Sequence, residues 1–111
     1  MGVQEKRQSK RMSQYLKVQF YFGSNTEPIQ VFTEDISTGG IRIQSPFPID
    51  ERYQFPMHIF LNQDPLSSIK VIARVAWQRK NEDSPNWEMG IEFVQMQDAD
   101  RDLVGKFVKS A

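Results

Sequence analysis

Two arginines near the start of the chain have the chemistry of an anion-binding site. Arg7 and Arg11 lie in the segment KRQSKR, four residues apart. A helical turn would bring them within about 5–6 Å, whereas an extended chain would separate them by about 13 Å. A guanidinium group can bind phosphate through two hydrogen bonds, contact the O6/N7 edge of guanine or stack on a base. Basic tails contain such pairs by chance, so this spacing alone defines no site.

A second polar cluster, DISTGG, lies between two apolar runs. Asp35 can accept hydrogen bonds from the N1–H and 2-amino groups of a guanine, and Ser37 supplies a short hydroxyl. Gly39 and Gly40 remove side chains where a flat ring would approach the backbone. The same residues also fit an Asx-type turn, in which Asp35 bonds its own backbone and a glycine takes positive φ. These residue types fit either a purine site or a turn.

The rest of the chain carries the period-two alternation of β-strands. The pattern predicts strands at about 16–22, 28–34, 40–45, 54–62, 68–79 and 86–95, with the DISTGG motif falling mostly in the loop after the second. Helical spacing of apolar residues then predicts a C-terminal helix over 98–109. The expected fold is therefore all-β with one C-terminal helix, a six-stranded antiparallel β-barrel, because closure removes unpaired edges.

Length and charge divide the chain into an arm and a body. Its 111 residues suit one domain, which we expect to consist of a flexible basic arm at 1–14 and a barrel with its helix at 15–111. Residues 1–20 hold five bases and one acid, net +4, and the other 91 hold nine bases and thirteen acids, net −4. A basic arm on an acidic body indicates an anionic partner for the arm, although such arms often serve only solubility.

Composition excludes several classes of protein. The sequence has no cysteine, which removes disulfides, thiol catalysis and cysteine-ligated metals. No apolar run reaches the roughly 20 residues of a membrane span and the N-terminus has no signal core, so we expect a cytoplasmic protein without membrane attachment. The only histidine, His58, sits on the outward phase of a predicted strand, and no catalytic motif or metal-ligand cluster accompanies it. We therefore expect neither an enzyme nor a metal protein, and no cofactor.

Taken together and in this order, the two motifs resemble those of the PilZ domain, the bacterial receptor module for cyclic di-GMP. RQSKR matches the R-x-x-x-R element at Arg7 and Arg11, and DISTGG matches the [D/N]-x-S-x-x-G element at Asp35, Ser37 and Gly40. The later segments RVAWQRK and NWEMGIEFV resemble the last two strands of that family. The resemblance covers nearly the whole chain.

The resemblance implies that cyclic di-GMP is held on the outside of the barrel, between arm and motif. Arg7 and Arg11 would grip phosphate and the guanine O6/N7 edge, while Asp35 and Ser37 would bond the opposite edge above Gly40. Further contacts are expected from Lys6, Lys10, Gly39 and Trp77. The alternation phase of Trp77 argues equally for a place in the core, and Lys6, which precedes the first arginine, does not decide between one ligand and a stacked pair.

The function that the resemblance implies is a ligand-driven switch. Cyclic di-GMP would order the arm on the barrel, and the altered surface would regulate an effector protein in trans that controls motility, biofilm and exopolysaccharide or virulence. One alternative is a small barrel that binds single-stranded nucleic acid, which exposed Tyr15 and Tyr21 would favour. The thirteen acids of the body leave no continuous basic track for a nucleic-acid polymer. The other alternative is a non-binding adaptor of the same family.

Overall fold

The computed structural model describes residues 12–21, 27–61 and 68–109 as seven strands and one helix. The strands are β1 (Met12–Ser13), β2 (Lys17–Phe20), β3 (Ile29–Ser37), β4 (Gly40–Ser45), β5 (Gln54–Phe60), β6 (Ser68–Lys80) and β7 (Trp87–Met96). Helix α1 spans Asp98–Lys109.

Six of the strands close into an antiparallel barrel, which confirms the predicted fold class. The order around the barrel is β3-β2-β5-β6-β7-β4, and pairing of β4 with β3 completes the ring. The short strand β1 lies beside the same edge of β3 as β2, so it extends β2 rather than adding a new position to the ring. Closure leaves no long unpaired edge among the described strands.

The core is formed by the inward residues of every strand of the ring. Strand alternation buries Val18 and Phe20 of β2 against Phe55 of β5, with the two phenyl rings 5.3 Å apart. Isoleucines and valines make up much of the rest of the core, as their β-branched side chains suit a pleated surface. Each fully buried side chain of this size contributes about 1.5–3 kcal/mol of transfer free energy. The core of the described barrel is therefore largely apolar, and most charged side chains lie on its outer face.

Helix α1 packs against the barrel through one apolar face. Its buried residues Val104 and Val108 join the core, and Phe107 packs against it. Asp98 and Asp100 in the first turn and Lys106 and Lys109 in the last turn have the signs that the helix dipole favours. Within the described residues, the structure contains no helix long and apolar enough to span a membrane.

Two boundaries differ from the sequence expectation. The DISTGG motif is not mainly a loop, because Asp35 to Ser37 continue strand β3 and only Thr38 and Gly39 form the turn to β4. Met12 and Ser13, which were expected to belong to the arm, pair with Ile36 and Asp35 of β3. Strand pairing therefore begins beside the motif itself.

Candidate functional site

One row of residues crosses four strands on the outer face of the barrel. Asp35 of β3 is paired with Arg42 of β4, Arg42 with Gly90 of β7, and Gly90 with Trp77 of β6. Neighbouring positions on adjacent strands lie about 5 Å apart, so the row is roughly 15 Å long. It joins Asp35 and Trp77, two of the predicted site residues, through two residues that the sequence analysis did not select.

Two β-bulges turn the ends of this row outward. In β3 the register shifts between Thr33 and Asp35, so that both Glu34 and Asp35 lie on the outer side while Thr33 stays buried. In β6 it shifts between Val75 and Trp77, and Trp77 is exposed although Val75 is buried. Bulges commonly redirect side chains beside functional sites. Here they place a carboxylate and an indole on one surface.

Arg42 gathers three carboxylates around the middle of the row. Its Nε lies 3.2 Å from Oδ2 of Asp35 and 3.5 Å from Oε1 of Glu34, and its Nη1 lies 3.4 Å from Oε2 of Glu88. Arg79 approaches the other oxygen of Glu88 at 2.7 Å. Only 10% of the Glu88 side chain and 14% of the Asp35 side chain are exposed. Two arginines thus partly compensate three carboxylates, of which those of Asp35 and Glu88 are largely shielded from water.

Ser37 organises the turn that follows Asp35. Its hydroxyl oxygen accepts a hydrogen bond from the Gly39 amide at 3.2 Å and lies 3.4 Å from the Gly40 carbonyl oxygen, to which the hydroxyl can donate. The residue is only 1% exposed. The backbone amide of Phe93 in β7 donates to the Gly39 carbonyl at 3.0 Å and ties the turn to the barrel. The local turn therefore depends on Ser37.

The two glycines of the motif have different surroundings. A Cβ at Gly40 would lie 2.1 Å from the carbonyl oxygen of Ile91, so the close approach of β4 to β7 requires glycine there. A Cβ at Gly39 would meet only the Ser37 hydroxyl oxygen, at 3.9 Å. Gly40 has a structural reason for being glycine, while the space around Gly39 is open.

Trp77 lies on the surface and not in the core. Its side chain is stacked against Gly90, where a Cβ would lie 2.2 Å from the indole Nε1. The Arg79 guanidinium lies 5.9 Å from the ring centroid, within the range of a cation–π contact. Because 42% of Trp77 is exposed, the indole offers a flat apolar surface beside the charged row.

The last residues of the arm, 12–14, are called the arm root and lie at the Asp35 end of the row. The Thr33 hydroxyl donates a hydrogen bond to the Gln14 carbonyl and accepts one from the Leu16 amide at 3.0 Å, which bridges the break between β1 and β2. A depression of about 660 Å³ lies next to this bridge, lined by Ser13, Gln14, Tyr15, Glu34 and Arg42. Tyr15 is 80% exposed. The depression is thus bounded by the arm root and by Arg42.

The predicted arm contacts Lys6, Arg7, Lys10 and Arg11 lie outside the described residues. The described part of the chain holds no group of three or more histidine, aspartate or glutamate side chains arranged for a metal ion. The predicted site residues of the body all lie on this surface. Two are in the row, Asp35 and Trp77, and three are at the adjoining β3–β4 turn, Ser37, Gly39 and Gly40.

Arg42, Gly90 and Glu88 are the residues of this surface that sequence reasoning missed. Arg42 and Glu88 occupy the outward phase of predicted strands, where charged residues are ordinary. One signal was available for Gly90, because glycine within a strand often marks the close approach of another group. None of the three residues could be assigned to the site without knowing which strands pair.

Comparison with known proteins agrees with this architecture. The family model for the PilZ domain matches residues 5–110. The solved structures with the same fold include the Bacillus subtilis inhibitor of motility, MotI/DgrA, with a TM-score of 0.80 and 20% identity over 96% of this chain and 51% of that chain. No curated protein matches the sequence.

Two further structures with this fold come from Escherichia coli YcgR. YcgR in complex with c-di-GMP matches with a TM-score of 0.77 and 14% identity over 96% of this chain and 46% of that chain. The PilZ domain of YcgR with c-di-GMP matches with a TM-score of 0.69 and 13% identity over 96% of this chain and 91% of that chain. The chain spans about half the length of MotI/DgrA and of the longer YcgR chain. On the strength of the family match over nearly its whole length, this chain belongs to the PilZ domain family.

Proposed function

We propose that this chain is a receptor for cyclic di-GMP that regulates a partner protein in trans. The observation that carries the proposal is the row from Asp35 to Trp77, which ends beside the root of the basic arm. A carboxylate, cations and a flat aromatic surface in one place match a ligand made of two guanines and two phosphates. Family membership and the presence of c-di-GMP in the matching YcgR structures support the same ligand.

Covalent geometry supports the participation of the arm. Met12 pairs with Ile36, the residue between Asp35 and Ser37, and consecutive Cα atoms are about 3.8 Å apart. Arg11 directly precedes Met12 in the sequence and Arg7 lies four residues before it, so the chain connection is compatible with contacts from both at the motif. In the proposed complex these arginines bind the phosphates and the guanine O6/N7 edge, with Lys6 and Lys10 adding positive charge.

Residues of the barrel then bind the edge of a guanine base opposite to its O6/N7 edge. Asp35 and Ser37 bond the N1–H and 2-amino side of a guanine, while Gly39 leaves room above the turn. Trp77 provides an apolar surface at the far end of the row. The Ser37 hydroxyl oxygen already accepts a hydrogen bond from the Gly39 amide, so Ser37 would contact the ligand while keeping this hydrogen bond.

The proposed output is a change of surface. Cyclic di-GMP orders the arm against the barrel, and the new surface binds or releases an effector that governs motility, biofilm and exopolysaccharide or virulence. Backbone amide NMR with and without ligand tests this step. The amides before Tyr15 are expected to become ordered in the complex, and arm amides that are unaffected by bound ligand would overturn the switch.

Titration calorimetry tests the receptor function itself. The protein is titrated with cyclic di-GMP, with GTP, cyclic di-AMP and a short oligo-dT as separate controls, and selective binding of cyclic di-GMP is expected. Binding of oligo-dT alone would establish a single-strand binder instead. Absence of heat with all four would leave the adaptor that works only through protein contacts. The stoichiometry of a positive titration decides between one ligand and a stacked pair.

A further inference from the structure

We propose that Arg42 is a positioning residue that holds the Asp35 carboxylate in the orientation that recognises the 2-amino group of guanine. The inference rests on the proposed function and extends it to base selectivity. Arg42 belongs to neither of the two motifs from which the site was predicted.

The geometry ties the position of Asp35 to Arg42. The two residues are direct cross-strand partners, and Nε of Arg42 lies 3.2 Å from Oδ2 of Asp35. The same guanidinium reaches Glu88 on β7 through Nη1, so the side chain is held from both neighbouring strands. A planar guanidinium fixed at two points can orient a carboxylate, which a flexible ammonium group would do less well.

The positive charge of Arg42 reduces the repulsion that an anionic ligand would meet at this cluster. Glu34, Asp35 and Glu88 supply three negative charges, and Arg42 and Arg79 supply two positive charges, so the cluster carries a net charge of −1. Without Arg42 the same cluster would carry −2. A ligand with two phosphates would then meet stronger repulsion, and Asp35 would lose its partner across the hairpin.

The cluster retains unused hydrogen-bonding capacity. Nε of Arg42 and Oε1 of Glu34 are buried from solvent and have no hydrogen-bond partner, although they lie 3.5 Å apart. Buried polar groups usually have hydrogen bonds, so these contacts are charge pairs in imperfect alignment.

Selectivity for the 2-amino group separates positioning from a general effect on binding. Guanine offers the Asp35 carboxylate both N1–H and the 2-amino group, whereas hypoxanthine offers only N1–H. A correctly oriented carboxylate gains the second hydrogen bond with guanine alone. Loss of orientation must therefore reduce the preference for guanine, while simple loss of positive charge must weaken both ligands equally.

The test compares cyclic di-GMP with cyclic di-IMP by calorimetry in the unsubstituted chain and in three variants. Arg42→Gln removes both the positive charge and the planar guanidinium group. Arg42→Lys keeps the charge but not the planar group, and Arg74→Gln is a matched control. Arg74 is also a strand arginine, 39% exposed, paired at 2.6 Å with one carboxylate, Glu92. Melting temperatures and circular dichroism confirm that each variant is folded.

The expected result is a shift in the ratio of the two dissociation constants. The unsubstituted chain and Arg74→Gln should prefer cyclic di-GMP by about tenfold, the size of one well-made polar contact. In Arg42→Gln the preference should fall to about twofold and total affinity should also drop, with partial recovery in Arg42→Lys.

Two outcomes overturn the inference and are distinguishable. If Arg42→Gln weakens both ligands by the same factor or leaves the ratio unchanged, Arg42 does not position Asp35, although the receptor function stands. If the unsubstituted chain binds neither ligand, the proposed function fails and this inference fails with it.

Discussion

The indole of Trp77 lies over Gly90 so closely that a Cβ at position 90 would be 2.2 Å from Nε1. The two residues are cross-strand partners on β6 and β7, and Gly90 is also the partner of Arg42. The missing side chain therefore lets the indole lie against the backbone next to the charged row. The flat surface proposed for the ligand exists because position 90 is glycine.

Replacement of Gly90 by alanine should displace the indole while keeping the fold. The contact is with a side chain that can move, so we expect the free energy of unfolding to change by less than about 1 kcal/mol. Trp77 fluorescence should change, measured in a Trp87→Phe background that leaves it the only tryptophan. Affinity for cyclic di-GMP should fall, as in Trp77→Ala. Unchanged fluorescence and unchanged affinity in Gly90→Ala would contradict this role.

The surroundings of Trp77 also show which features of the fold and the site could be predicted from the sequence. Alternation correctly identified most inward residues of the described strands, because burial on one face repeats with period two. It also gave Trp77 the same phase as the buried Val75, and the bulge at Ala76 reverses that phase. A bulge inserts one residue without a marked sequence signal. Arg42 and Gly90 join the site only through the pairing of β4 with β7, which no local pattern reveals.

The neighbouring glycines of the motif provide a matched pair of substitutions. Gly40→Ala places a Cβ against the Ile91 backbone, which cannot move without disturbing β7, so we expect destabilisation of about 1–3 kcal/mol. Gly39→Ala enters open space and should cost less than about 1 kcal/mol. Denaturant unfolding measures both. Equal stability of the two variants would show that β4 and β7 tolerate wider spacing than the structure has.

Thr33 should control how firmly the arm root is held. Thr33→Val keeps the shape but removes both hydrogen bonds of the hydroxyl, leaving the buried Leu16 amide without that acceptor. We expect a loss of about 1–3 kcal/mol in unfolding free energy and faster hydrogen exchange at Leu16. Thr33→Ser retains the hydroxyl and serves as the control. If valine and serine variants exchange Leu16 at the same rate, the bridge does not hold the root.

Asp50 and Arg52 form an exposed pair that gives a pH prediction away from the site. Hydrogen bonds from the Arg52 side chain and then from its backbone amide lower the pKa of Asp50 from 3.8 to about 2. Because the folded pKa lies below the ordinary value, the pair stabilises the fold above about pH 4, and this contribution disappears as the pH falls towards 2. In Arg52→Gln the pKa of Asp50 measured by NMR should rise towards the ordinary value but stay below it, because the backbone amide of residue 52 still donates to the carboxylate.

The same Arg52→Gln substitution should leave the melting temperature at pH 7 nearly unchanged. The Arg52 side chain is 91% exposed and that of Asp50 is 52% exposed, so solvent screens most of the interaction. A large drop in melting temperature would mean that the pair has a structural role beyond its own charges.

Arg7 and Arg11 provide the most direct test of the arm. If they bind phosphate and guanine, Arg7→Ala or Arg11→Ala should weaken cyclic di-GMP binding below detection by calorimetry, since each good bidentate contact is worth about 1–3 kcal/mol and the two act together. The melting temperature of the free protein should not change, because a ligand contact is absent without ligand. Arg52→Ala removes an equally charged but remote arginine and should bind normally. Loss of fold in either arm variant, or full affinity in both, would contradict a ligand role for the arm.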